Sequence, residues 1–328
     1  MTTDRTRRTL VLTAFAALLA LAAPAHAADY PTRPVTLVVA FTPGGPSDII
    51  ARIVGKKLET ILGQSVVVEN RPGAGGNIAA EVVARAEPDG YTLLMGNNSI
   101  LATNAALYKH LTYDPEKDFA PISLIGSQAN ILVVNPKVEA HSLKELIALC
   151  KANPGKINFA SSGYGAAAHL SGELFKSDAQ VNIVHVPYKG AAPALQDVIA
   201  GHDQMMFATS ASVIGYIKSG TLRALAVTTI KRTAVLPDLP TMDEAGLKGF
   251  EASTWHGLVA PARTPPDVIA KLSKATIAAL HDAGVVKSLV NLGVDVSPDT
   301  PDEFRAYIKS EIPKWTAIVK ASGASIGK

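Results

Sequence analysis

Strand-like and helix-like segments alternate along nearly the whole chain, and this alternation limits the possible folds more than any other feature. Residues 35–41 form a continuous apolar run, as in a strand covered on both faces of a parallel sheet. A helix over 47–62 follows, with Ile50, Val54, Leu58 and Ile61 at helical spacing. Strand 64–69, helix 75–85 and strand 91–95 continue the series, and 122–134 reads as an extended apolar crossover. A second set begins at Ser142, where Ser142 and Glu145 make a capping box. It alternates strands at 157–160, 181–186, 205–208 and 222–227 with helices at 142–150, 167–176, 191–200 and 210–218. After another apolar stretch at 254–260 come a helix at 266–281, a short strand at 294–296 and a helix from Thr300, which Pro313 is expected to kink or break. Repeated βα units predict an α/β fold with mainly parallel sheets. No Gly/Ser-rich linker and no internal repeat appears, so two compact halves joined by extended crossovers are expected.

The N-terminus stands apart from this pattern. Arg5, Arg7 and Arg8 precede an apolar run over 10–23, and Ala25-His26-Ala27 has the small-x-small form of a cleavage site. This order predicts a secretory signal peptide over 1–27 and a periplasmic location for the 301 residues that remain. Residues 1–27 carry three Arg and one Asp, so their removal takes the formal charge from +3 to +1. A nearly neutral domain has no electrostatic case for nucleic acid. The one cysteine, Cys150, shares a helical face with Leu143 and Ile147 and is expected to be a buried core thiol. No later apolar run reaches the ~20 residues of a membrane-spanning helix.

In open α/β sheets ligands bind beyond the carboxyl ends of the strands. The segments there are 42–48, 70–77, 96–99, 161–165, 187–190 and 209–210, rich in Gly, small hydroxyls and amides. Most open a helix, whose unpaired N–H groups and partial positive charge favour an anion such as carboxylate or phosphate. Asp48 reads first as a helix cap or first-turn acid, and otherwise as a partner for a ligand amino group. Lys189 could pair with a ligand carboxylate or be an exposed turn lysine, and Trp255 could wall a pocket or fill the core.

Catalytic patterns are missing. The one G-x-S-x-G stretch, 323–327, follows a helical pattern rather than a strand and so makes no nucleophile elbow, there is no Walker A motif, and Gly73-Ala74-Gly75 is followed by Ile78 where a dinucleotide fingerprint needs Gly or Ala. No zinc-type spacing frames the histidines, and His169 with Glu173 reads as a polar pair along one helix. No enzyme activity, metal or cofactor is expected. Aromatic residues are only 5% of the chain, few for sugar-stacking platforms.

Several segments in order carry a family resemblance: FTPGGPSDIIAR at 41–52, ENRPGAGG at 69–76, DGYTLL at 89–94, YDPEKDF at 113–119, ASSGYG at 160–165 with His169-Leu170, VPYKG at 186–190, LRALAVT at 222–228, LPDLPT at 236–241 and WHGLVAP at 255–261. Over essentially the whole mature chain they resemble the Bug family, the TctC-type extracytoplasmic receptors of tripartite tricarboxylate transporters. The resemblance implies a two-domain periplasmic binding protein (Venus-flytrap) fold, each domain a mainly parallel sheet flanked by helices, with domain 1 over 28–130 plus 253–328 and domain 2 over 131–252. It implies cleft closure on a small carboxylate (amino acid, dicarboxylate or aromatic acid), delivery to membrane permease subunits, and a monomer. Backbone groups and ordered waters would hold the carboxylate, chiefly at the first-strand loop and the second-domain loops. The ligand-binding candidates are Phe41, Pro43, Gly44, Gly45, Ser47, Asp48, Asn97, Ser161, Ser162, Gly163, Gly165, His169, Tyr188, Lys189, Gly190 and Trp255. Thr42, Ala166 and Arg263 depart from the family pattern, the first two near the expected pocket. A ligand-sensing subunit signalling to a membrane partner would use the same fold, and a secreted α/β hydrolase would need an exposed Ser-His-Asp set.

Overall fold

The computed structural model describes residues 30–322; the expected signal peptide over 1–27 lies outside them. Residues 33–322 form one compact unit. Strand β1 (Val35–Val39) is almost wholly buried, as a strand covered on both faces must be. It leads into α1 (Pro46–Leu62), which starts with proline in its first turn and stops at Gly63 in the left-handed conformation. Next come β2 (Val66–Asn70), a single 3-10 turn (Ala74–Gly76), α2 (Asn77–Ala84) and β3 (Thr92–Asn97). β1 pairs in parallel with both β2 and β3. Beyond β3 the chain makes a π turn over Ser99–Thr103 and a short α3 (Asn104–Leu107).

Two long strands, β4 (Phe119–Val134) and β9 (Ser253–Pro261), run antiparallel to each other through the middle of the molecule. Between them in sequence lie α4 (Leu143–Ala152), β5 (Asn158–Ser161), α5 (Ala167–Ala179), β6 (Val184–Pro187), α6 (Ala191–Ala200), β7 (Met205–Thr209), α7 (Ser210–Lys218) and β8 (Arg223–Val227). β5 pairs in parallel with β6 and β7. The strand order is β2-β1-β3-β9-β4-β7-β5-β6, with β8 and the later β10 (Val294–Val296) both on β4. Each end of the sheet is therefore a parallel βαβ set, and β9 and β4 join them in antiparallel register. The expected crossover at 122–134 is thus a full strand, 16 residues long and buried along nearly its whole length.

The C-terminal part adds α8 (Pro266–Leu280), α9 (Ala283–Asn291) and α10 (Pro301–Ser322). α9 was not legible as a separate helix in the sequence. The expected break at Pro313 does not occur, because α10 continues through it as one helix. Its buried Phe304, Ile308, Trp315 and Val319 are part of the main core, and packing of that face offsets the one hydrogen bond a proline removes. Cys150 is fully buried in the same core, and burial pushes its thiol up to about 11. The Ser142 hydroxyl caps α4 by accepting from the Glu145 N–H, as expected.

Candidate functional site

A small cavity of about 40 Å³ lies where the carboxyl ends of β1, β3 and β7 meet β9. At ~10–15 Å³ per water, it has room for about three water-sized groups. Its wall takes Pro46 and Ser47 from the first turn of α1, Ala167 and Ala168 from α5, Ala191 from α6, and Thr209 just before α7. None of these four helices has a side-chain cap, so their first N–H groups are left for whatever occupies the cavity. Elsewhere α4 and α9 are capped by Ser142 and Asp282, whereas α2, α3 and α8 also start without a side-chain cap. Four positive helix ends aimed at one space form a field that suits an anion.

No side chain lining the cavity carries a formal charge. Phe41, Met206 and Phe207 supply apolar wall; Ser47, Asn97, Asn98, Ser99, Ser162, Thr254 and His256 supply polar groups. Ser47 Oγ lies 3.0 Å from His256 Nε2. Burial holds the His256 ring down to about 4, so it is neutral at physiological pH. Among the described residues, His256 Nδ1, the Ser99 hydroxyl and both amide atoms of Asn98 are buried without a partner.

A second chamber of about 210 Å³ adjoins the cavity at Phe41 and Ser162, which line both. Its walls include the Gly73–Gly76 turn, Tyr108, Gly163, Tyr164, Tyr188 and Lys189.

The structure brings Phe41, Ser47, Asn97 and Ser162 to the cavity, and Gly163, Tyr188 and Lys189 to the chamber. The other candidates shape the walls from behind. Pro43, Gly44 and Gly45 form the turn into α1, with Gly44 at φ +78° and Gly45 as the uncapped N-cap. Asp48 is fully engaged, accepting from the Gly44 N–H, Arg52 and Asn70. Burial alone would push its carboxyl up, but these bonds and the Arg52 charge hold it below the usual carboxylate range. It anchors the loop rather than facing a ligand. Ser161 bonds His185 Nε2 at 2.7 Å, and the His169 Nδ1 accepts from the Gly165 N–H at 3.1 Å. The two imidazoles stack with centroids 4.1 Å apart, so a neutral histidine pair backs the 161–165 loop. Burial above all, with His169 acting on His185 and Lys176 on both, lowers His169 to about 4 and His185 to about 3. Glu173 pairs with Lys176, not with His169. Tyr188 turns its hydroxyl away towards Asp197 and Asp203. Gly190 sits so close to Thr42 that a Cβ there would collide with the threonine side chain.

Trp255 faces away from the cavity. It is fully buried against Phe304 and Tyr307 and donates to Glu311 Oε2 at 2.7 Å. Alternation along β9 sends Thr254 and His256 to the cavity side and Trp255 to the core. Asn98, Ser99 and Thr209 line the cavity from the strand-end segments 96–99 and 209–210 without having been among the ligand-binding candidates, and Thr254 and His256 line it without having been singled out. Asn98 and Ser99 lie in the loop after β3, where the available signal was the same strand-end rule that pointed to Asn97. For Thr254 and His256 the signal was the two-residue period of a strand. A hydrolase is poorly served: among the described residues the Ser47–His256 pair has no carboxylate or other partner on Nδ1.

Residues 50–324 match the family described as the tripartite tricarboxylate transporter family receptor. Protein BugT of Bordetella pertussis is 39% identical over 324 residues, covering 98% of this chain and 99% of its own. The periplasmic binding protein BugD has 40% identity and a TM-score of 0.87, covering 90% of this chain and 99% of its own. MatC of Rhodopseudomonas palustris, solved with bound malate, has 34% identity and a TM-score of 0.85, covering 88% and 100%. A further R. palustris protein, solved with adipate, has 37% identity and a TM-score of 0.88, covering 90% and 99%. With a family match over most of its length and relatives of this similarity, the chain belongs to the tripartite tricarboxylate transporter receptors, solute receptors with the two-domain α/β periplasmic-binding-protein fold.

Proposed function

We propose that the protein captures a small carboxylate-bearing solute in this cavity and the adjoining chamber and carries it to the membrane permease of a tripartite transporter. The observation that supports this most directly is the convergence of four uncapped helix N-termini on a space lined by neutral polar groups. A carboxylate gains N–H donors and a favourable field there, and no lysine or arginine in the wall is needed. That malate and adipate occupy two of the related structures is in keeping with the reading.

In this reading residues 28–130 with 253–328 make one lobe and 131–252 the other, and β4 and β9 carry the hinge. The lobes close on the ligand by a hinge motion, and the closed form is what the permease recognises. Export to the periplasm follows from a cleaved leader over 1–27, and the receptor works as a monomer. Capture and release involve no covalent step, so the protein is not an enzyme.

A thermal-shift screen of residues 28–328 against small carboxylates and their amides tests the reading. A ligand bound only by the native state adds ~2.7 kcal/mol at a hundredfold excess over Kd. An acid that stabilises while its amide does not supports carboxylate capture. Stabilisation by a sugar, nucleotide or metal, with no effect from any acid, would overturn it.

A further inference from the structure

Contacts along α10 pass from one end of the sheet to the other. Just before the helix, the Asp299 carboxylate accepts from the Leu124 N–H at 2.6 Å, and the Asp299 N–H donates to the Ser123 hydroxyl, both on β4. In the first turns Phe304 fits against Gly257 of β9, where a Cβ would collide with its ring. Further on, Glu311 accepts from Trp255, and Lys314 Nζ lies 3.7 Å from Glu251. Glu251 falls in the range 131–252 read above as the second lobe, and α5 of that lobe packs against α10. Phe175 of α5 shares the main core with Trp315 and Val319 of α10. The helix thus begins on the first lobe and ends against the second. β4 and β9 cross between the lobes as covalent chain, and α10 crosses as a packed helix.

Pro313 sits where the contacts change over. It has no N–H, so the Lys309 carbonyl lacks its helical donor, and the ring crowds that carbonyl. Helices kink at such points. The arrangement described is a shut one: Gly190 meets Thr42, and Gly75 meets the Tyr164 carbonyl, from opposite lobes. In it α10 is continuous. When the lobes part, α5 must either leave α10 or take its last turns along. Leaving would uncover apolar core around Trp315 and Val319. Bending at Pro313 keeps that core covered, and costs one hydrogen bond fewer than bending elsewhere in the helix.

Resting on the two-lobe reading above, we propose that α10 is a strap between the lobes with Pro313 as its bending point: its last turns move with α5 while its first turns stay with β4 and β9. Glu311, which accepts from both Trp255 and Trp315, lies at the pivot and keeps both partners in either arrangement.

Pulsed electron spin resonance on the whole mature chain tests this, with spin labels on Lys56→Cys in α1 and Lys144→Cys in α4, exposed positions on opposite lobes. The free chain should show a short and a long distance. Pro313→Ala restores an N–H that only the continuous helix can bond to the Lys309 carbonyl. It should raise the ratio of short to long about fivefold, the worth of one backbone hydrogen bond. A ratio within about twofold of the unaltered chain, or one moved towards the long distance, would overturn the bending point and leave the moving lobes standing. One distance in both proteins, unmoved by millimolar malate or adipate, would remove lobe motion and this inference with it. Should the variant fail to fold, amide exchange on the unaltered chain decides. The amides flanking Pro313 should exchange at least about tenfold faster than those of 304–308 and 316–319, and uniform rates along α10 would overturn the proposal.

Discussion

Ser47 Oγ and His256 Nε2 lie 3.0 Å apart across 209 residues of sequence, tying the first turn of α1 to strand β9 at the cavity wall. In a nucleophilic hydrolase such a pair would need a carboxylate to orient the imidazole, and here Nδ1 has no partner among the described residues. If the cavity takes a carboxylate as proposed, the pair positions a hydroxyl for it. Ser47→Ala should raise the Kd for a carboxylate ligand by about tenfold, in line with one buried hydrogen bond. Any slow turnover of p-nitrophenyl acetate should be the same in both proteins, and its loss in the variant would revive the hydrolase.

Gly190 and Thr42 give a test of closure. A Cβ on residue 190 would run into the threonine side chain. Gly190→Ala should weaken ligand binding at least tenfold with little change in the melting temperature of the free protein. Thr42→Gly in the same chain should restore much of the loss, so a double-mutant cycle by calorimetry should give a coupling of at least about 1 kcal/mol. Independent effects would show that the two loops do not meet in the bound state.

The buried histidines set a pH dependence. His169 and His256 are held at about 4 and His185 at about 3, against an ordinary 6.5. The folded state thus binds fewer protons than the unfolded state between these values, and its stability is lost as pH falls from about 6.5 towards 4. Asp299, raised to about 6 chiefly by burial, and Asp178, also raised by burial, work in the opposite direction above their ordinary 3.8, but they are two groups against three. The melting temperature should therefore drop on going from pH 7 to pH 5. His185→Gln should make that drop shallower, and an unchanged slope would show that this ring does not report on folding.

Glu311 Oε2 accepts from both tryptophan indoles, Trp255 Nε1 at 2.7 Å and Trp315 Nε1 at 2.8 Å. Glu311→Ala leaves two buried donors unpaired and should cost about 2–4 kcal/mol in urea unfolding. Because none of the three residues lines the cavity, ligand affinity at a temperature where the variant is folded should stay within about twofold. A large loss of affinity would show that the tryptophan cluster acts on the site.

The order of strands and helices was readable because it depends on local signals. The apolar period of β1, the proline in the first turn of α1 and the Ser142 cap act within a few residues of themselves. Pro313 misled for the opposite reason: its local penalty is real, but Phe304, Ile308, Trp315 and Val319 hold α10 to the core from a distance. The loops of the site were legible too, since glycines, hydroxyls and amides gather at strand ends facing helix starts.

What the sequence determined by itself was the α/β alternation and the anion-seeking character of the strand-end loops, because both are written in neighbouring residues. Which residues of those loops face the cavity was decided by the tertiary structure. Trp255 and His256 are adjacent in sequence and differ only in the face of β9 they occupy, one joined to Glu311 in the core and the other to Ser47 at the cavity. Asp48 stands in the cavity loop, yet Arg52, Asn70 and the Gly44 N–H remove it from ligand chemistry. Asn98, between β3 and the π turn, reaches the wall with no partner for its amide among the described residues. Pairing, burial and field at one point are sums over segments distant in sequence, and only the folded arrangement brings those segments together.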